Sequence, residues 1–142
     1  MNHASLIKLL TYLGATPFFL AIYLHLTQQS LLGVEAVQWF LTYGLVILSF
    51  MAGTLWGQVV NASAQVKRIA LATNLITLAA WFAFLLAGPV LVLLIMVLGF
   101  IALYLLEWRV MDAIPRPECY LALRLRVTAL VVLAHGLMGL QL

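Results

Sequence analysis

Three polar residues near the C-terminus are spaced so that they share one face of a helix. Arg124, Thr128 and His135 lie at i, i+4 and i+11 in an otherwise apolar stretch, and such spacings line one side of an α-helix. In a membrane helix, a polar face is expected to point into the bundle, where its groups find partners. Arg126 is about 200° away from Arg124 around the helix axis, at about 100° per residue. We therefore expect Arg126 to extend to the membrane surface.

An arginine that points into a bundle needs an anion. Glu107 is the nearest carboxylate in expected depth, and Asp112 is the second candidate. Glu107 and Arg124 would form a structural pair or part of a site for an anion or a lipid headgroup. The alternative is that Arg124 and Arg126 both anchor the end of the helix at the headgroups.

Two histidines, His25 and His135, lie within apolar segments at similar expected depths. Histidines from two helices can ligate haem b or a metal ion, and the alternative is hydrogen bonding inside the bundle or at its interface. Cys119 is the only cysteine, and the sequence contains no Cys-x-x-Cys-His, His-Glu-x-x-His or Gly-rich phosphate loop. We therefore predict no metal site, no catalytic residue and no cofactor, with haem b as the open alternative.

Small residues recur in the second apolar segment. Ser49, Gly53 and Gly57 repeat every four residues, with Trp56 beside them. This spacing lets another helix backbone approach closely in lipid, where packing drives association. The pattern favours a helix-packing face, and the alternative is a ligand groove over the glycines with Trp56 as its wall.

The third apolar segment carries a polar stripe. Asn74, Thr77 and Trp81 lie at i, i+3 and i+7 and therefore share a face. We expect this face to point into the bundle, where it forms interhelical hydrogen bonds or lines a solvated cavity.

The composition identifies the elements that must position these residues. The chain has 142 residues, of which 66% are hydrophobic and 8% are charged, whereas soluble domains have about 45–50% apolar and about 25% charged residues. A soluble or disordered chain is therefore excluded. Because one span needs about 20 mostly apolar residues, we predict an all-α membrane domain over residues 1–142 with five spans. The spans are predicted at about 9–26, 37–60, 69–87, 89–106 and 121–141, with a cytoplasmic loop at 107–120.

Basic residues predict the orientation. Five crossings place all seven Lys and Arg residues at one side of the membrane, and cytoplasmic ends collect such residues. We therefore expect a cytoplasmic N-terminus and an external C-terminus. The net charge of +3 is explained by topology and gives no reason to expect nucleic acid as a partner.

Three stretches of the sequence can be compared with known families together. They are Gly14-Ala-Thr-Pro17-Phe18, Tyr43-Gly-Leu-Val-Ile-Leu-Ser-Phe-Met-Ala-Gly53-Thr-Leu-Trp56-Gly57 and Tyr120-Leu-Ala-Leu-Arg124-Leu-Arg-Val-Thr128. With them the chain resembles, from about residue 9 to its end, the bacterial family called domain of unknown function 3429, which includes eukaryotic transmembrane protein 69. The resemblance implies a small multi-pass protein of the bacterial inner membrane and supplies no activity. Tyr43 and Tyr120 join the polar residues above as candidates for a ligand site or a structural polar site.

The chain departs from this family at three places. Thr73-Asn74 stand where the family usually has Pro-Ser, Cys119 where it often has Trp, and Glu107 where it often has an aspartate. The last change keeps a carboxylate near the end of the fourth span.

The sequence favours a non-catalytic accessory, assembly or stabilising component that packs against helices of a larger membrane complex. One alternative is an oligomeric transporter or channel for an ion or an amphipathic small molecule, built from copies of this chain. Another is a membrane redox protein, or one that binds a lipid or a quinone. In each case the lipid bilayer is the immediate partner.

Overall fold

The computed structural model describes residues 2–61, 66–110 and 119–142, which form five helices. These are α1 (His3–Leu26), α2 (Ala36–Val59), α3 (Val66–Leu86), α4 (Pro89–Arg109) and α5 (Tyr120–Gly139). Each helix is long and apolar enough to cross a membrane. The five predicted spans and the all-α class are therefore confirmed, and the described ranges contain no strand beyond an isolated bridge between Leu31 and Val34.

Several helix boundaries differ from the predicted ones. α1 begins six residues before the predicted span, at His3, because the Asn2 side chain caps it by accepting a hydrogen bond from the Ser5 backbone N–H at 2.8 Å. Glu107 and Tyr120, which were expected in the loop, lie in the last turn of α4 and the first turn of α5. Asp112 and the rest of that predicted loop at 111–118 lie outside the described residues.

Prolines occupy the two positions that the sequence indicates. Pro17 lies inside α1, where it removes one backbone hydrogen bond without ending the helix. Pro89 is at the first position of α4, with Gly88 as the N-cap. This geometry separates α3 from α4 as the Gly88-Pro89 pair predicts.

The helices form a closed bundle in which each packs against the next along the chain. α5 packs against α1, and α2 also reaches across the bundle to α4. Fully buried side chains from four helices fill the centre, including Phe18, Phe40, Leu48, Met96 and Met138.

Because consecutive helices alternate in direction, the first turns of α1, α3 and α5 gather at one end with the last turns of α2 and α4. We call this the basic end. It carries Lys8, Lys67, Arg68, Arg109, Arg124 and Arg126.

Candidate functional site

A buried ion pair joins α4 and α5 at the basic end. The Arg124 Nε donates to the Glu107 Oε2 at 2.7 Å, and these side chains are only 9% and 4% exposed. The Tyr120 hydroxyl donates to the Glu107 Oε1 at 2.9 Å. The structure thus brings together Arg124, Glu107 and Tyr120, which the sequence placed among the candidate site residues.

Helix α2 completes this cluster. The Arg124 Nη1 lies 3.5 Å from the Met51 Sδ, and the Gln58 side chain hydrogen-bonds to Tyr120. We call Met51, Gln58, Glu107, Tyr120 and Arg124 the ion-pair cluster. Tyr120 and Arg124 are one turn apart, so both reach Glu107 from the same face of α5. Because a carboxylate balances the guanidinium, the cluster connects three helices without an uncompensated buried charge.

The polar stripe of α5 points inward as its spacing predicts. Arg124, Thr128 and His135 are all buried, at 7%, 9% and 1% exposure. Arg126 is exposed. The helical spacing therefore correctly predicted that Arg124 is buried and that Arg126 is exposed.

His135 lies in an aromatic environment farther along α5. Its ring centroid is 4.8 Å from that of Phe40, 5.2 Å from Phe18 and 5.5 Å from Phe100. The Nδ1 lies 2.7 Å from the Val131 carbonyl oxygen, which can only accept, so Nδ1 carries the proton and Nε2 keeps a lone pair. Among the described residues this buried Nε2 has no hydrogen-bond partner.

A glycine of α2 faces this imidazole. A Cβ placed on Gly44 would lie 3.0 Å from the Met96 Sδ, 3.4 Å from the His135 Nε2 and 3.5 Å from the Phe18 Cε1. The backbone of α2 thus makes its close approach at Gly44. We call His135, Phe18, Phe40, Gly44, Met96 and Phe100 the aromatic cluster.

Two stretches that carry the family resemblance meet beside the aromatic cluster. The Tyr43 hydroxyl donates to the Gly14 carbonyl at 2.8 Å, and the Tyr43 and Phe18 rings are 5.0 Å apart. Gly14 lies three residues before Pro17, where the helix ladder of α1 is interrupted. Tyr43 therefore supports the weakened turn of α1. Tyr43 is among the predicted site residues, whereas Gly44, Phe18 and Met96 are not, although Gly44 and Phe18 stand in the stretches that carry the family resemblance.

The two histidines lie in different environments. His25 lines a pocket of about 540 Å³ at the end opposite the basic end, together with Gln28 and Glu35. The His135 Nε2 faces the α2 backbone at Gly44. To serve as an axial ligand with His25, His135 would have to leave the packing of the aromatic cluster.

An open groove runs between α2 and α3, with a volume of about 240 Å³. We call it the α2–α3 groove. Its lining is made of small, polar and aromatic residues: Ser49, Ala52, Gly53, Trp56, Thr73, Asn74 and Thr77.

The expectation that the α3 stripe points into the bundle is wrong. Asn74 is exposed, Thr77 is half-buried and Trp81 is 44% exposed. The buried residues of α3 are Ile69, Thr73, Ala80 and Ala83 instead, and the two alanines let α3 pack closely on its neighbours. The Asn74 Nδ2 donates to the Ala70 carbonyl at 2.7 Å, and the Thr77 hydroxyl to the Thr73 carbonyl at 3.0 Å.

Gly53 and Gly57 of α2 have no other helix of the described residues packed over them. A Cβ on Gly53 or Gly57 would have no described atom within 4 Å. Ser49 and Gly53 line the α2–α3 groove, and the Ser49 hydroxyl donates to the Leu45 carbonyl at 2.8 Å. The stripe is thus open to the surroundings of the protein.

The family model described as "Protein of unknown function (DUF3429)" matches residues 4–140, which include nearly all of the five helices. The chain belongs to the DUF3429 family. No curated protein and no solved structure matches it. The family description assigns no activity to this DUF3429 protein.

Proposed function

We propose that this protein is a non-catalytic accessory component of a membrane complex, which accommodates a helix of a partner protein in the α2–α3 groove. The observation that carries the proposal is an open glycine beside polar side chains on the lipid-facing surface. Gly53 has free space above it, and Asn74 is exposed at the same groove.

Free space above Gly53 suits the backbone of another helix. In lipid, helices associate through close packing and interhelical hydrogen bonds, and small residues permit that approach. Ser49 and Ala52 extend the small surface along α2. Trp56 is 44% exposed at the groove, so its ring is available as one wall for the partner.

The exposed amide of Asn74 favours a partner that carries a polar side chain. Its Nδ2 donates to one backbone carbonyl of its own helix, whereas an amide can form up to four hydrogen bonds. Lipid tails offer no further partner. A hydroxyl or amide group from a second helix would form a further hydrogen bond with Asn74. Interhelical hydrogen bonds of this kind contribute about 0.6 kcal/mol each on average.

The ion-pair cluster supports a structural role for the bundle. The Glu107 carboxylate accepts hydrogen bonds from both Arg124 and Tyr120. These buried charges therefore connect helices of the bundle itself. Such a scaffold presents the α2–α3 groove on a fixed surface. We further propose that it does so in the bacterial inner membrane, with the basic end in the cytoplasm.

Photocrosslinking in native membranes tests the proposal. A photoreactive residue replaces Trp56 or Thr77, both at the groove, or Leu133, a 54% exposed control on α5. We expect discrete protein adducts from the two groove positions and none from Leu133. Gly53→Ile should abolish the adducts and the co-purification of the partner in mild detergent. Gly136→Ile, at an exposed glycine that is also open, should preserve both.

Two results would contradict the proposal. One is that the groove positions crosslink to lipid alone and that the protein elutes without a partner, whether or not Gly53 is replaced. The other is crosslinking only between copies of this chain, which would indicate a homo-oligomer in place of an accessory component.

A further inference from the structure

We infer that a second groove, between the first turns of α1 and α5, binds one anionic phospholipid from the leaflet at the basic end. This lipid groove has a volume of about 240 Å³. It is independent of the α2–α3 groove, and the inference does not rest on the proposed function.

The floor of the lipid groove is apolar. Ala4 and Ile7 of α1 face Tyr120 and Leu123 of α5 across it. The Tyr120 hydroxyl is directed to Glu107, so the ring is the part of this side chain that remains for the groove. Because both helices are spans, the groove opens where acyl chains meet headgroups, and an acyl segment suits an apolar cleft at that depth.

The rim of the lipid groove is basic. Lys8 lines it next to Ile7, and His3 lies at its outer end. None of the lining residues in the described part of the chain is acidic. The nearby Glu107 carboxylate is bound by Arg124 and Tyr120, so it does not offset the Lys8 charge. The positive ends of the α1 and α5 dipoles add to the field at this rim.

These two features select an anionic phospholipid as the occupant. A lysine on a flexible stem can keep its ammonium at the headgroup level while its methylenes lie along apolar surface. A phosphate-bearing lipid satisfies both parts of the groove at once, with its headgroup at Lys8 and part of a chain between Ile7 and Leu123. A soluble anion would leave the apolar floor uncovered, and a neutral lipid would bring no negative charge to Lys8.

Native mass spectrometry of the full chain, released from nanodiscs of mixed phosphatidylcholine and phosphatidylglycerol, tests the inference. We expect the wild-type protein to retain one phosphatidylglycerol in preference to phosphatidylcholine. Lys8→Gln should lower this preference about fivefold, because it removes the one lysine in contact with the headgroup of the bound lipid, and such a contact contributes about 1 kcal/mol. Lys67→Gln removes an exposed charge at the same end but outside the groove, and it should leave the preference unchanged.

A second pair of variants tests the apolar floor. Ala4→Phe fills the groove and should reduce retention of both lipids. Ala122→Phe, at an exposed alanine of α5 that does not line the groove, should have no effect.

Cys119 gives a readout without substitution, since this exposed and only cysteine lines the groove. Its alkylation should slow when phosphatidylglycerol is present. A cysteine placed by Ala122→Cys in a Cys119→Ser chain should slow less, because it senses the surface potential alone. Equal losses of preference in the two lysine variants, or equal slowing at both cysteines, would show only diffuse surface attraction and overturn the inference.

Discussion

The ion-pair cluster and the aromatic cluster both place a titratable residue of α5 in the core, but only in the ion-pair cluster does that residue have polar partners on other helices. Arg124 and His135 lie about 16 Å apart along the helix, at about 1.5 Å per residue. Arg124 contacts Glu107 of α4 and Met51 of α2. His135 makes its hydrogen bond to Val131 of its own helix, and other helices contact it through their rings.

This difference shows what each polar residue contributes. A side chain whose partners belong to other helices connects those helices, because a separated partner would be left unsatisfied in an apolar medium. A side chain bonded only to its own helix adds packing and little else. We therefore expect the ion-pair cluster to contribute far more to stability than the imidazole does.

The largest effect is expected when Glu107 is removed. Glu107→Leu leaves Arg124 buried without its carboxylate and should lower the free energy of unfolding by about 3–5 kcal/mol. Thermal unfolding in detergent measures the loss. The matched control is Glu35→Leu, at an exposed carboxylate with no side-chain capping bond, which should change stability by less than about 0.5 kcal/mol.

A double variant shows whether the loss comes from the stranded charge. Glu107→Leu combined with Arg124→Leu removes both charges, and it should be more stable than Glu107→Leu alone. If the double variant were no more stable than Glu107→Leu alone, the interpretation of this cluster as a coupled pair would be wrong.

A smaller effect is expected at two glycines of α2, Gly44 in the aromatic cluster and Gly53 at the α2–α3 groove. Gly44→Ala brings a Cβ to 3.0 Å from the Met96 Sδ and 3.4 Å from the His135 Nε2, and overpacking of this kind costs about 1–3 kcal/mol. Gly53→Ala meets open space and should stabilise the isolated protein by up to about 1 kcal/mol through helix propensity. Unfolding of the two variants side by side tests the opposite signs; a stabilising Gly44→Ala would show that Met96 shifts to accept the added Cβ, and the expected overpacking would be wrong.

The sequence predicted the five helices because each apolar run has the length of a span. It also predicted the α5 face that holds Arg124, because helical spacing alone separates Arg124 from Arg126. The Glu107 partner followed from depth, since the last turn of α4 and the first turn of α5 lie at one end of the bundle.

Other features depend on how each helix is rotated, which spacing does not determine. Asn74, Thr77 and Trp81 share a face as predicted, but that face points outward, and Thr73 and Ala80 on another face of α3 are buried instead. The contact between Gly44 and His135 joins helices α2 and α5 at a particular register. Periodicity gives no information on that register.

A still smaller effect is expected at the hydrogen bond between Tyr43 and the α1 turn before Pro17, which borders the aromatic cluster. Tyr43→Phe removes the hydrogen bond from the hydroxyl to the Gly14 carbonyl and should cost about 0.5–1.5 kcal/mol. Tyr23→Phe is the control, because Tyr23 is 59% exposed on the same bundle. Equal stability of the two variants in thermal unfolding would show that water or lipid replaces the Tyr43 bond.

The smallest effect is expected at His135 itself. His135→Leu keeps the volume nearly constant and removes an Nε2 that has no partner among the described residues, so the relief of a buried polar atom offsets the lost ring contacts. Replacing a polar group by an apolar one of similar shape is then close to neutral, within about 1 kcal/mol of the wild type. Thermal unfolding with and without a metal chelator measures the change. A loss of stability as large as that of Glu107→Leu would mean that Nε2 binds a metal ion or another group in the purified protein. His135, like Arg124, would then have a partner outside its own helix.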